Sequence, residues 1–166
     1  MCVLLINLGT MDFSQVISIL NNYTKENLKG KNAHLEIAPF RAKYPNLQPS
    51  SPKIAAVLVL LYPVKNETHF VLIERTTYKG QHSGQISFPG GKQEKEDVSI
   101  IETALREAQE ETNIEREEIQ IIGELSKIFI PPSNFEVTPI LAISNNRPEF
   151  IPNKREVVDV LEIKIK

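Results

Sequence analysis

Phe88-Pro89-Gly90-Gly91-Lys92, followed by Ser99-Ile100-Ile101-Glu102-Thr103-Ala104-Leu105-Arg106-Glu107-Ala108-Gln109-Glu110-Glu111-Thr112-Asn113-Ile114, is the stretch from which the fold is read. A tight glycine turn leads through a polar loop into an amphipathic helix. Ser99 and Glu102 stand at N-cap and N3, the spacing of a capping box. Ile101, Ala104, Leu105 and Ala108 form the apolar stripe. Asn113 stands where a helix ends in the left-handed conformation, which Asn tolerates. Glu107, Glu110 and Glu111 fall at i, i+3 and i+4 and project from one helical face. Like charges at that spacing repel by a few tenths of a kcal/mol per pair, about 0.2–0.5 on an exposed helix. A divalent cation would offset that, and carboxylates with free positions for water and phosphate suit Mg²⁺. Taken alone, Glu-x-x-Glu-Glu reads more simply as a solvated acidic face. The glycine loop at fixed distance is what favours the chemical reading. Arg106 is placed to brace Glu110 or to reach back to the loop acids between Glu94 and Asp97.

Working outward, Ile54 to Tyr62 is a near-continuous apolar run, as a strand covered on both faces would be. Val64-Lys65-Asn66-Glu67 reads as a hairpin turn and His69 to Arg75 as its partner strand. Thr76 to Ser83 is loop-like, and Ile86-Ser87-Phe88 is a short extended piece stopped by Pro89-Gly90-Gly91. Ile119 to Pro131 and Phe135 to Ser144 read as two strands joined through Pro131-Pro132-Ser133-Asn134. Val157 to Lys166 alternates as a final strand. Phe13 to Asn27 reads as a helix capped by Asp12 or Ser14, with Val16, Ile17, Ile19 and Leu20 on one side. Met11 just before it offers an alternative start, which would make Met1 to Thr10 an upstream extension. Residues 1–50 therefore read as an N-terminal extension with a helix and an irregular approach segment, and 51–166 as the main domain. The fold class is α/β.

Composition bounds the function. The 166 residues carry 19 Lys and Arg against 21 Asp and Glu, a net charge of -2, which makes no whole-chain case for nucleic acid. Lys92 to Glu118 holds ten acids and four bases, a local charge of -6 on a body of +4. An acidic patch of that kind suggests a cation that bridges to a polyanion. The single cysteine, Cys2, excludes a disulfide framework. No apolar run approaches the roughly 18–20 residues that span a bilayer. A cytoplasmic protein without nucleic-acid or membrane partners, monomeric or homodimeric, is the expectation. Gly-x-Ser-x-Gly, Walker and Gly-x-Gly-x-x-Gly signatures do not occur.

The glycine loop and helix together resemble the Nudix box. Gly91 opens the pattern, Arg106-Glu107-Ala108-Gln109-Glu110-Glu111 matches its core, and Ile114 closes it. The Gly-to-Arg spacing is one residue longer than the general pattern. Val98 stands where the early Glu would be, with Asp97 beside it, and Asn113 replaces the last Gly. The longer loop is shared with the subgroup that resembles coenzyme A pyrophosphatases. Leu72, Arg75, Gly84, Phe88, Pro89, Gly90 and Gly91 fall at the spacing of that subgroup's upstream signature. Ile73, Thr76 and Gly80 depart from it.

The resemblance implies a Nudix-type α/β/α sandwich with a mixed central sheet. It implies metal-dependent hydrolysis of a pyrophosphate bond in CoA or acyl-CoA, giving 3′,5′-ADP and 4′-phosphopantetheine or its acyl form. A Nudix hydrolase of ADP-ribose or a dinucleoside polyphosphate, and a non-catalytic module that keeps the fold, are the alternatives. The implied ligands of Mg²⁺ or Mn²⁺ are Glu107, Glu110 and Glu111. The implied base is Glu107 or Glu111, with Glu156 a second candidate and Arg106 a catalytic-site partner. Arg75, Gly90, Gly91 and His82 are the implied contacts to a small nucleotide-type, CoA-like substrate. Such chains usually continue past the strand at Val157 to Lys166 into a covering helix, so an apolar sheet face is expected to lie open unless another element replaces that cover.

Overall fold

The computed structural model describes residues 12–22, 28, 30, 51–77 and 84–165. His82, Gly80, Met1 to Thr10 and residues 38–50 of the approach segment expected over Ala38 to Lys53 lie outside the described residues, as do residues 23–27 of the helix expected over Phe13 to Asn27, which ends at Leu20 with Asn21 as its C-cap. Eight strands form one sheet: β1 (Lys53–Val64), β2 (Glu67–Arg75), β3 (Ile86–Ser87), β4 (Gly90–Lys92), β5 (Gln120–Glu124), β6 (Ile128–Ile130), β7 (Phe135–Ile143) and β8 (Val157–Lys164). Among the described residues, two α-helices pack on it, α1 (Phe13–Leu20) and α2 (Ile100–Thr112). Strand β1 is central. It runs parallel to β7 over its apolar length and antiparallel to β2 and β4 at its two ends. Strands β5 and β6 both pair with β7, while β3 and β8 pair with β2. The sheet is therefore mixed, as a fold built from hairpins plus one crossover requires.

Alternation along β1 and β7 assigns the two faces. Ala56, Leu58, Leu60, Tyr62, Ile140 and Ala142 are buried together with Ala104 and Ala108 of α2. At the two alanines only a methyl group stands between helix and sheet, while Ile100, Ile101 and Leu105 pack around them. Leu61, Leu141 and Ile143 point the other way and pack against Val16 of α1. The layers are thus helix, sheet, helix. Asp12 caps α1 by accepting from the Ser14 N–H at 2.9 Å, and its other oxygen accepts from Asn66 Nδ2 at 2.8 Å. The cap thereby ties α1 to the β1–β2 turn, where Lys65 and Asn66 both have positive φ (51° and 68°), the geometry of a tight type I′ hairpin. Ile19, expected on the buried side of α1, is 58% exposed.

Two local expectations are corrected. The run Ile119 to Pro131 is two strands rather than one, because β5 and β6 meet different halves of β7. Between them lies Pro139, whose carbonyl accepts from the Leu125 N–H at 2.8 Å but which has no N–H to return. Gly90 and Gly91 do not merely end the preceding extended piece. They form β4 with Lys92, paired to Ala55, Ala56 and Val57. Helix α2 starts and stops as its caps dictate: Ser99 Oγ accepts from the Glu102 N–H at 3.1 Å, and Asn113 is left-handed at φ 56°, ψ 28°.

Asn113→Gly is expected to hold stability within about 0.5 kcal/mol, whereas Asn113→Ala costs about 1 kcal/mol because Cβ penalises the left-handed region without an amide to offset it. Urea unfolding of the two variants measures the difference.

Candidate active site

Helix α2 brings its carboxylates to three different environments. Glu111 is the deepest, 1% exposed. Its Oε2 accepts from the Gly90 N–H at 2.8 Å and its Oε1 from Arg75 Nη1 at 2.6 Å. A buried carboxylate requires such partners, because an unpaired charge there would cost several kcal/mol. Desolvation nevertheless pushes Glu111 up to about 7, with Arg75 and the Gly90 N–H pulling the other way. Arg75 reaches it because the strand is bulged between Glu74 and Arg75, which re-aims the side chain at the end of β2.

Glu107 lies one turn earlier, against the backbone of Gly91. A Cβ built on Gly91 would fall 2.4 Å from Glu107 Oε2, so only glycine leaves room for the carboxylate. At Gly90 the constraint is backbone on backbone. An added Cβ would meet the Ala56 carbonyl oxygen at 2.3 Å, and φ is +154°. The two glycines are thus required for different reasons, one by the sheet and one by the acid. Burial raises Glu107 above the ordinary carboxylate range, Arg106 opposes this, and the charges of Glu110 and Glu156 add to it.

Glu110 is more exposed and pairs with Arg106 Nη1 at 3.2 Å. Arg106 also reaches back. Its Nε and Nη2 donate to Asp97 at 2.8 and 3.0 Å, and Nη2 donates to the Lys92 carbonyl at 3.1 Å. That fork, with the Thr103 hydroxyl, holds Asp97 well below the usual carboxylate range. Arg106 thus fixes the loop between β4 and α2 while neutralising part of the acidic face.

Glu156 comes from elsewhere in the chain. The segment before β8 closes over the C-terminal end of α2: Ile151 N–H donates to the Thr112 carbonyl at 2.9 Å and Asn153 N–H to the Glu111 carbonyl at 3.0 Å. These are helix carbonyls with no partner inside the helix. The Glu156 carbonyl accepts from the Thr76 N–H at 2.8 Å, one residue beyond Arg75. Glu156 is exposed, yet its charge acts on Glu107. Sequence reading singled out Glu156 but not the residues that seat it, Asn153 and Thr76. Backbone hydrogen bonds between residues this far apart in the chain have no periodic signal.

The structure therefore links Arg75, Gly90, Gly91, Arg106, Glu107, Glu110 and Glu111 through these contacts, and the charge of Glu156 reaches Glu107. A cleft of about 340 Å³ adjoins this cluster at Arg75, Gly90 and Gly91, and is lined further by Lys92, Ser87, Ser133 and apolar strand residues.

The model of the NUDIX domain matches residues 52–162. The chain belongs to the NUDIX domain family. A Pectobacterium atrosepticum protein named "uncharacterized Nudix hydrolase NudL" is 40% identical over 124 residues, covering 72% of this chain and 62% of that protein. Its Yersinia enterocolitica namesake is 38% identical over 109 residues, covering 66% of this chain and 55% of that protein. The chain thus matches little more than half the length of these curated relatives. Among solved structures, a C. elegans Ap4A hydrolase in a binary complex aligns with TM-score 0.57 and 21% identity over 68% of this chain and 80% of that one. The NUDIX domain of Shewanella oneidensis NrtR, complexed with ADP ribose, aligns with TM-score 0.54 and 18% identity over 74% and 82%. These likenesses establish the fold.

The donor set fits a hard divalent cation. All donors are carboxylate oxygens, and the mutual repulsion of Glu107, Glu110 and Glu156 is what such a cation relieves. Among the described residues no three acids already form a coordination cage. Glu111 is engaged by Arg75 and Gly90, and Glu107 and Glu110 both contact Arg106. Among the same residues, no helix is long and apolar enough to cross a membrane.

Two outcomes follow. Gly91→Ala is expected to leave the fold intact while displacing the Glu107 carboxylate, whereas Gly90→Ala strains the backbone by about 1–3 kcal/mol; thermal denaturation separates them. For metal-free protein, Glu111 has a folded pKa of about 7 against 4.5 unfolded. A raised carboxylate binds its proton more tightly in the folded state. Its stabilisation is complete below about pH 4.5 and is lost as pH rises through 7, up to about 3 kcal/mol in all. Wild type measured against Glu111→Gln across that range is expected to show this slope, and parallel curves would refute it.

Proposed function

We propose that this protein hydrolyses the pyrophosphate bond of a nucleoside diphosphate derivative, with CoA or acyl-CoA as the preferred substrate. The observation that carries the reading is the contact of Arg75 and Gly90 with Glu111. It joins the Leu72-to-Gly91 signature to the acidic helix at a single carboxylate, so the two motifs serve one centre.

The geometry supports the following roles. Glu107, Glu110 and Glu111 are the residues that would hold Mg²⁺ or Mn²⁺. When bound, the ion supplies Lewis acidity, neutralises phosphate charge and lowers the pKa of a water. Arg75, only 22% exposed, presents a guanidinium at the cleft wall, where bidentate contact to a phosphate is favoured. The backbone at Gly90 and Gly91 lets a phosphate approach without side-chain obstruction. Arg106 keeps the loop and Glu110 in place through Asp97 and the Lys92 carbonyl. Displacement at phosphorus needs positioning more than covalent chemistry. The proton of the attacking water goes to a carboxylate. Glu107, partly buried and raised in pKa, suits that task best, with Glu111 or Glu156 as the other acceptors. His82 remains a candidate contact to the substrate.

The Ap4A and ADP-ribose of the neighbouring structures keep a second reading open, a Nudix hydrolase of one of those compounds. Incubation of CoA, ADP-ribose and diadenosine tetraphosphate with Mg²⁺ or Mn²⁺ tests both. CoA is expected to yield 3′,5′-ADP and 4′-phosphopantetheine. Glu107→Gln and Glu111→Gln are each expected to lower kcat/KM by about a hundred- to ten-thousandfold. Faster cleavage of ADP-ribose or the dinucleotide would replace CoA as substrate. No cleavage of any of them by folded, metal-loaded protein would leave a binding module.

A further inference from the structure

One sheet face is shared between a helix and an opening. Strands β1 and β7 run parallel, with Ala55 beside Val137 and Val59 beside Leu141. At one end of this face Leu61, Leu141 and Ile143 are buried under Val16 of α1. At the other end Val57 and Val137 line the cleft with Ile130, Phe88 and Phe135, and all five are only half-buried. Apolar side chains there remain in contact with solvent. The same cleft is bounded by Arg75, Gly90 and Gly91, so it is continuous with the phosphate end of the site.

We propose that this cleft is a subsite for a slender apolar arm of the substrate, carried on the side of the diphosphate away from the nucleoside. The inference rests on the pyrophosphatase reading above and specifies which half of the substrate lies where. Three features support it. The lining of the cleft includes the aliphatic side chains of Ala55, Ala56, Val57, Ile130 and Val137, beside polar Gln85, Ser87 and Ser133. Its basic side chains, Arg75 and Lys92, lie on the Gly90–Gly91 side, where the phosphates are held. The two rings also have partners already: Phe88 packs on Phe70 at 5.8 Å between centroids, and Lys53 Nζ lies 5.4 Å from the Phe135 centroid. Among the described residues, the cleft therefore offers no facing pair of rings to sandwich a purine. It offers a trough in which each methylene of a chain leaves water.

The test uses n-alkyl monophosphates with ethyl, butyl, hexyl and octyl chains, bound to wild-type protein in the presence of Mg²⁺ and followed by calorimetry. Affinity is expected to tighten by up to roughly fourfold per buried methylene and then level off once the trough is filled. Val137→Thr and Ile130→Thr, checked by thermal melting, are expected to weaken hexyl phosphate by about fivefold while leaving ethyl phosphate unchanged. A flat chain-length series overturns the inference, and the wild-type series decides this even if both variants unfold. The inference also fails if the two variants weaken adenosine 5′-monophosphate instead, since the cleft would then belong to the nucleoside. A flat series with CoA still hydrolysed overturns this inference alone. A stepped series with no diphosphate hydrolysed overturns the hydrolase reading and leaves the apolar subsite standing.

Discussion

The buried carboxylate of Glu111 is the constraint around which the rest is arranged. At 1% exposure it can be ionised only with partners supplied, and each partner belongs to a different element. Gly90 N–H comes from β4, the Arg75 guanidinium from β2, and the carboxylate itself from α2. Breaking one side of such an arrangement leaves a buried charge uncompensated, the expensive direction for an ion pair. The site is therefore held by the same contacts that fix the helix against the sheet. Gly90 also has to be glycine for the strand beneath it, because β1 approaches to within 2.3 Å of where a Cβ would sit. Packing and site chemistry make the same demand at that residue.

A second arrangement controls charge. Glu107, Glu110 and Glu111 repel one another along α2, and Glu156 adds to the field on Glu107. Arg106 offsets part of this from within the helix, contacting Glu107 and Glu110 and forking onto Asp97. Arg75 offsets another part from β2. Among the described residues, Arg75, Arg106 and Lys92 against five nearby acids leave the cluster net negative, which suits a site that would hold a divalent ion and, through it, a polyanion. The segment that brings Glu156 is seated on the free carbonyls of Glu111 and Thr112, so it could not be moved without exposing a helix end.

Legibility in the sequence follows from locality. The caps of α2 at Ser99 and Asn113, the apolar stripe through Ala104 and Ala108, and the hairpin at Lys65-Asn66 are set by neighbours a few residues apart, and each was readable. The layered class was readable from the same periodicities together with the box resemblance. The division of Ile119 to Pro131 into two strands was not, because it depends on Pro139, a residue on the partner strand. The role of Gly91 was legible only as permissive. That it makes room for Glu107 in particular needs the helix placed over the strand. Departures from the upstream signature also find local reasons. Ile73 is fully buried between β3 and β8, and the Thr76 hydroxyl donates to the Arg155 carbonyl at 3.3 Å beside the backbone contact to Glu156.

The open half of the second sheet face follows from the same geometry. A helix long enough to cover both ends of β1 and β7 would bury Val57 and Val137, but it would also close the wall on which Arg75, Gly90 and Gly91 stand. Helix α1 covers the far end, where Leu61, Leu141 and Ile143 carry no polar duty, and its Asp12 cap fastens it to the β1–β2 turn, away from the glycines. Solvated apolar surface is unfavourable in proportion to its area. The half-buried residues of the cleft are thus a standing cost of keeping the acid cluster reachable, and a ligand that covers them as it reaches the carboxylates recovers it. Specificity for the non-nucleotide part of the substrate would then arise from strand residues whose first task is to build the sheet.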